Sequence, residues 1–180
     1  MHIVPKSVRV ALCLALWLAP AWGATLELLS VSDLISRSSL IVRGQVTGSA
    51  ASRTGSIIYT HYKINVLKQW KGTAQGSLDV VVPGGTANGA RQTFPGAPQL
   101  AEGRQYVLFL WTSRRGVIST LGFTQGVFDL VKDGAGNTTA SQMPTTETIL
   151  SRQTGQVVRS QPIIMPLGQL VSLITTGVGK

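Results

Sequence analysis

From Ile57 to Leu67 (IIYTHYKINVL) apolar and polar residues alternate with a period of two. Ile58, Thr60, Tyr62, Ile64 and Val66 share one face; Tyr59, His61, Lys63 and Asn65 share the other. A helix returns to one face every ~3.6 residues, so this pattern fits a strand with one buried and one wet side. One-sided burial is the mark of an antiparallel sheet, and the rest of the chain supplies partners. Leu40–Val46 (LIVRGQV) reads as a strand with Leu40, Val42 and Val46 on one face, and Gly44 marks a bulge or tight curvature. Leu78–Val82, Val117–Leu121 and Val127–Val131 are further strands, while Gln105–Trp111 (QYVLFLW) is apolar on both faces and reads as a central, fully covered one. Asp133-Gly134-Ala135-Gly136-Asn137 is a hairpin turn, so Thr138–Ser141 should pair back.

Helices are expected at both ends. Leu28, Val31, Leu34 and Ile35 recur at helical spacing within 25–38, with Ser32 as a cap and Asp33 near the positive end of the dipole. Leu167, Leu170, Val171 and Ile174 share one face of a last helix over about 167–175, begun by Pro166. The expected fold is therefore mainly β: a small antiparallel OB-like barrel of six or seven strands, with a short N-terminal and a C-terminal helix. Closure is favoured because it leaves few bare sheet edges; a two-sheet sandwich is the alternative. The barrel domain should span 24–143, a polar Thr/Gln-rich connection 144–165, and the C-terminal helix 166–180.

The first residues carry a leader rather than structure. Lys6 and Arg9 precede the apolar run Val10–Pro20, and Ala21-Trp22-Gly23 sets small residues at −3 and −1, so 1–23 reads as a signal peptide cleaved between Gly23 and Ala24. The run, about 11 residues, falls short of the roughly 20 needed to span a bilayer. A secreted or periplasmic protein with no transmembrane anchor in the mature chain is expected, by a route that suits bacterial export. Cys13, the sole cysteine, leaves with the leader. That excludes a disulfide frame, a thiol nucleophile and a cysteine metal site in the mature chain.

Catalytic chemistry finds little to work with. His61 is the one imidazole after the leader and sits on the wet face of its strand, without the surroundings of a triad base. The acids Glu27, Asp33, Asp79, Glu102, Asp129, Asp133 and Glu147 form no close cluster and no calcium-loop pattern. No metal, no cofactor and no enzymatic activity are expected; a glycosidase-like pairing of Asp79 with Asp129 across strands is the remaining hydrolase option. Pro83-Gly84-Gly85 lacks the Lys-Ser/Thr of a phosphate cradle. Asn137-Thr138-Thr139 matches a glycosylation sequon but reads as an ordinary turn.

Binding is better served. Pro83–Pro98 (PGGTANGARQTFPGAP) has neither helix nor strand period, and loops that long are usually functional or disordered. Within it Arg91 and Phe94 are candidate contacts, with Phe94 an aromatic anchor stiffened by Pro95. Sixteen Lys+Arg against seven Asp+Glu favour anionic partners. Lys68, Trp70 and Lys71 at the end of the long strand form the second candidate surface. Nucleic acid is disfavoured, because export and the lack of aromatics interleaved with Arg/Lys argue against a base-stacking platform.

Leu40-Ile41-Val42-Arg43-Gly44-Gln45-Val46, then Tyr62-Lys63-Ile64-Asn65-Val66 running to Trp70-Lys71-Gly72, then Gly103-Arg104-Gln105-Tyr106-Val107-Leu108, form an ordered set. Over about 39–121 this resembles the netrin-like module, the OB-type barrel of tissue inhibitors of metalloproteinases. The resemblance implies the barrel, and a secreted protein such as a protease as partner. Those inhibitors act through an N-terminal cysteine and a disulfide frame that this chain lacks, so no inhibitory residue carries over. The expected function is an exported, non-enzymatic domain that binds another protein. The alternative is binding of an anionic glycan or cell-envelope surface through Lys and Arg.

Overall fold

The computed structural model describes residues 25–73, 76–144, 148–151, 154–158 and 161–179. The leader expected over 1–23 and its cleavage site lie outside the described residues. In chain order the elements are β1 (Thr25–Glu27), α1 (Val31–Arg37), β2 (Leu40–Thr54), β3 (Ile57–Lys71), β4 (Ser77–Pro83), β5 (Gly85–Ala87) and β6 (Ala90–Gln92). β7 (Gln105–Thr112), β8 (Ile118–Thr120), a 3-10 turn (Phe123–Gly126), β9 (Val127–Lys132) and β10 (Thr138–Gln142) follow. The chain then runs through β11 (Thr148–Leu150), β12 (Val157–Val158) and β13 (Ile164–Pro166) to α2 (Leu167–Val178). The protein is mainly β.

Five strands close a ring: β2 pairs with β3, β3 with β4, β4 with β8, β8 with β7, and β7 with β2. Every join is antiparallel except β4–β8, which is parallel. From β7 the same sheet continues outward through β9 and β10 to β13. β2 and β3 are 15 residues each, and their pairing shifts register at Ile41/Val42, Arg43/Gly44 and Val46/Gly48. Such irregularities bend a strand and increase its twist, which lets so long a ribbon curve into the ring. Gly44 sits at one shift, where a Cβ would lie 2.3 Å from Ile64 Cγ2. The two strands can approach that closely because no side chain intervenes.

Alternate ring residues, among them Val42, Val46, Ile64, Val80 and Leu108, form one buried cluster. The opposite face of β2, β7, β9 and β10 is apolar as well. Ile41, Val107, Phe109, Phe128 and Ala140 form a second cluster under Leu34 and Ile35 of α1 and Leu170 and Ile174 of α2. β7 contributes to both, and that is the cause of its two-sided apolar sequence. Phe109 and Phe128 meet in a tilted pair with centroids 5.7 Å apart.

Expectation and structure differ at several elements. The stretch 25–38 divides: Thr25–Glu27 is a strand paired parallel with β11, and the helix occupies Val31–Arg37. Its cap is Ser30 rather than Ser32. Ser30 Oγ accepts from the Asp33 amide at 3.1 Å, and the Asp33 carboxylate accepts from the Ser30 amide at 3.0 Å. The reason for the late start is a distant partner. Buried Gln125 accepts from the Leu29 amide at 2.8 Å and donates to the Glu27 carbonyl at 3.0 Å, drawing this stretch out of helical geometry. The region 144–165, expected as a polar connection, contains β11, β12 and the start of β13. The turn after β9 is the one expected: Asp133 accepts from the Ala135 and Asn137 amides, and Asn137 holds its carboxyl below the ordinary 3.8.

Candidate functional site

The long loop after β4 is more ordered than its composition suggests. Asn88 and Gly89 both take positive φ, 52° and 75°, and join β5 to β6 in a two-residue hairpin. The hairpin is fastened to the start of β3. The Gly84 amide donates to Ile58 O at 2.7 Å, Thr60 Oγ1 donates to Gly84 O at 2.7 Å, and the Ile58 amide donates to Gln92 Oε1 at 2.7 Å. Further on, Leu100 is buried in the ring cluster, and the Ala101 amide donates to Tyr106 Oη at 3.0 Å. A loop pinned at both ends walls off a cleft at this end of the ring.

The cleft holds about 270 Å³ and is lined by Ser49, Thr60, Tyr62, Arg91, Phe94 and Gln99, among others. Burial pushes the Tyr62 phenol up from 10.0, against a lowering hydrogen bond from the Leu100 backbone. The phenol therefore stays neutral across the physiological range. Arg91 is exposed at the rim and Phe94 is half-buried beside it. Glu102 accepts from Ser49 of the cleft lining at 2.9 Å, and the other described carboxylates are engaged away from it: Glu27 with Arg37, Asp33 with Ser30, Asp79 with His61, Asp129 with Arg104 and Asp133 in its own turn. Among the described residues Arg91 has no carboxylate partner.

The second candidate cluster does not join the first. Lys68, Trp70 and Lys71 lie near the far end of β3, roughly 40 Å of strand away from Ile58. Trp70 is half-buried against the helix-covered cluster. Lys71 Nζ donates to the carbonyls of Ile35 and Ser36 at 2.7 and 3.0 Å, closing the negative end of α1. Lys68 stays exposed, opposite Arg43 on β2. Lys71→Met should cost about 1 kcal/mol of unfolding free energy, and Lys68→Met less than about 0.5 kcal/mol. Urea titrations compare the two, and equal losses would contradict the helix-closing role.

His61 lies on the outer face, its Nδ1 2.9 Å from Asp79 Oδ2. Asp79 and Asp129 do not pair across neighbouring strands: even by the shorter way round the ring β8 and β7 lie between β4 and β9, and each carboxylate has its own partner, His61 for Asp79 and Arg104 for Asp129. A paired-carboxylate centre is therefore not formed by these two side chains. No three His, Cys, Asp or Glu side chains among the described residues are placed to hold a metal ion. Sequence reasoning missed the cleft's other wall, contributed by Ser49, Thr60 and Tyr62, and the role of Gln92 in fastening the loop. Asn88-Gly89 was the available signal for the hairpin; Gln92 offered none. No family model matches this chain, and no curated protein matches it. A functional reading therefore has to be argued from the site itself.

Proposed function

We propose that this protein is an exported, non-enzymatic binding domain that takes an extended segment of a partner protein into the cleft between the 83–100 loop and the ring. The observation that carries the reading is the meeting of Arg91 and Phe94 at the cleft mouth, a guanidinium with no carboxylate partner among the described residues beside a half-buried aromatic. Arginine and aromatic side chains are where interface energy concentrates. A cleft of about 270 Å³ suits one or two side chains rather than a folded element. Arg91 calls for a carboxylate on that segment. The hydrogen bonds that fix the loop before any partner arrives lower the ordering cost of binding.

An OB-like barrel agrees with the five-stranded ring. All five ring strands, from Leu40 to Thr120, fall inside the span that resembles the netrin-like module. The leader pattern in 1–23 supports a secreted or periplasmic site of action. The alternative is binding of an anionic glycan or envelope surface; it is favoured by Arg43 and Lys68, cations set directly across β2 and β3.

Capture from the exported protein fraction tests the cleft. A partner should be retained by the wild type and by Lys68→Ala, and lost at least tenfold from the Arg91→Ala/Phe94→Ala double variant. The part of the affinity due to Phe94 should persist at high salt, where exposed charge pairs are screened. Equal capture by the double variant, or no protein captured by any form, would overturn the reading.

A further inference from the structure

The β7–β8 hairpin carries a feature that the cleft does not use. Its turn is tight: the Ser113 amide donates to Val117 O at 2.8 Å, the Val117 amide to Ser113 Oγ at 3.0 Å, and the Gly116 amide to Ser113 O at 2.9 Å. Gly116 supplies the positive φ of 81° that this turn requires. Two large apolar side chains stand in water here, Trp111 and Val117, each 44% exposed. Trp111 is opposite Ser119 and Thr112 opposite Ile118, so one further step sets Ser113 opposite Val117. Trp111 and Val117 therefore share a face, the one turned away from Leu110 and Ile118, which pack into the ring. Neither belongs to a buried cluster.

Between them the tip presents Arg114 and Arg115, both exposed and without a carboxylate partner among the described residues. The sequence has no acid from Gly103 to Phe128. The hairpin is thus an exposed, cation-bearing tip with an indole and a valine on one side. Indole rings favour the headgroup level of a bilayer, where the apolar body is buried and the N–H stays wet. Arginines next to an anionic leaflet strengthen attachment by roughly fivefold each. Exposed indole, valine and paired guanidinium groups together match the apolar and anionic parts of a headgroup layer. We propose that the Trp111–Val117 hairpin is a membrane-contact tip that enters the headgroup region of an anionic bilayer. It stands at the opposite end of the ring from the cleft, because β7 reaches it beside Leu40 while the loop is fastened at Ile58.

The test uses protein recovered from the exported fraction and vesicles of phosphatidylglycerol with phosphatidylcholine, or of phosphatidylcholine alone. Co-sedimentation with the anionic vesicles is expected, with a blue shift of tryptophan emission that is absent from Trp111→Ser. Binding should fall at least tenfold on phosphatidylcholine alone, in Trp111→Ser and in Arg114→Gln/Arg115→Gln. All of these positions are exposed, so far-ultraviolet circular dichroism should show each variant folded. The Arg91→Ala/Phe94→Ala variant should bind vesicles like the wild type, which keeps this proposal separate from the cleft. Absence of vesicle binding overturns it, as does binding that survives both hairpin variants. Binding to a soluble sulfated polysaccharide but not to vesicles would assign the tip to a glycan and overturn the lipid reading.

Discussion

Phe109→Ala should lower the free energy of unfolding by about 3–5 kcal/mol. Phe109 is fully buried on β7, tilted against Phe128 and roofed by Leu34, Ile35, Leu170 and Ile174. The cost of such a truncation depends on how far the surroundings can collapse into the space left. Here they can move little. β7 is held by β2 and β9 on its edges, its other face is packed into the ring, and Phe109 O accepts from the Leu121 amide at 2.9 Å. Domains are stable by only about 5–15 kcal/mol, so the variant would stand near the edge of folding, and its melting temperature should fall by roughly 10 °C. Phe94→Ala, at a half-buried rim position, should cost less than about 1.5 kcal/mol. Urea titrations with unchanged m-values check both. A loss below about 1.5 kcal/mol for Phe109→Ala would mean that the outer cluster is loosely packed.

Gly85→Ala should destabilise by about 2–4 kcal/mol and reduce partner capture at least tenfold. Two causes act together. Gly85 has φ of +132°, a region in which an L side chain is strained, and a Cβ there would lie 2.4 Å from Thr60 Oγ1 and 3.0 Å from Ala51 Cβ. Moving Thr60 breaks its hydrogen bond to Gly84 O, one of the bonds that fix the loop to β3. The cleft would lose a wall while the ring stays closed. Gly89→Ala provides the control. Its φ of +75° is also positive, but a Cβ there meets nothing within 4 Å, so the cost should be about 1 kcal/mol with capture retained. A Gly85→Ala protein of wild-type stability with full capture would refute the docking of the loop.

The ring strands were legible in the sequence to the extent that burial is one-sided or two-sided. Ile57–Leu67 betrays itself by alternation, and Gln105–Trp111 by having none, because β7 is covered on both faces. What could not be read depends on distant partners. The parallel join of β4 with β8 rests on the single pair Val80↔Ile118, which has no local signature. Thr25–Glu27 became a strand because β11 lies beside it, although Leu28, Val31, Leu34 and Ile35 have helical spacing. The cleft was half visible. Arg91 and Phe94 are near neighbours in one loop, whereas Thr60 and Tyr62 arrive from β3 through a hairpin announced only by Asn88-Gly89. Lys71 shows the opposite limit: charge at a strand end reads as a surface contact, and its real partners are carbonyls 36 and 35 positions earlier.

β7 is the common wall of the ring interior and of the helix-covered layer. Peeling α1 and α2 away would leave Val107 and Phe109 facing water, and opening the ring would do the same to Leu108 and Leu110 on the same strand. Neither layer can melt without taking cover from the other, so the two cores lose independence and behave as one cooperative unit. The piece able to open on its own is one that makes no pairing with β7: the β5–β6 hairpin. That hairpin also walls the proposed binding cleft, so movement there can occur while the centre stays closed.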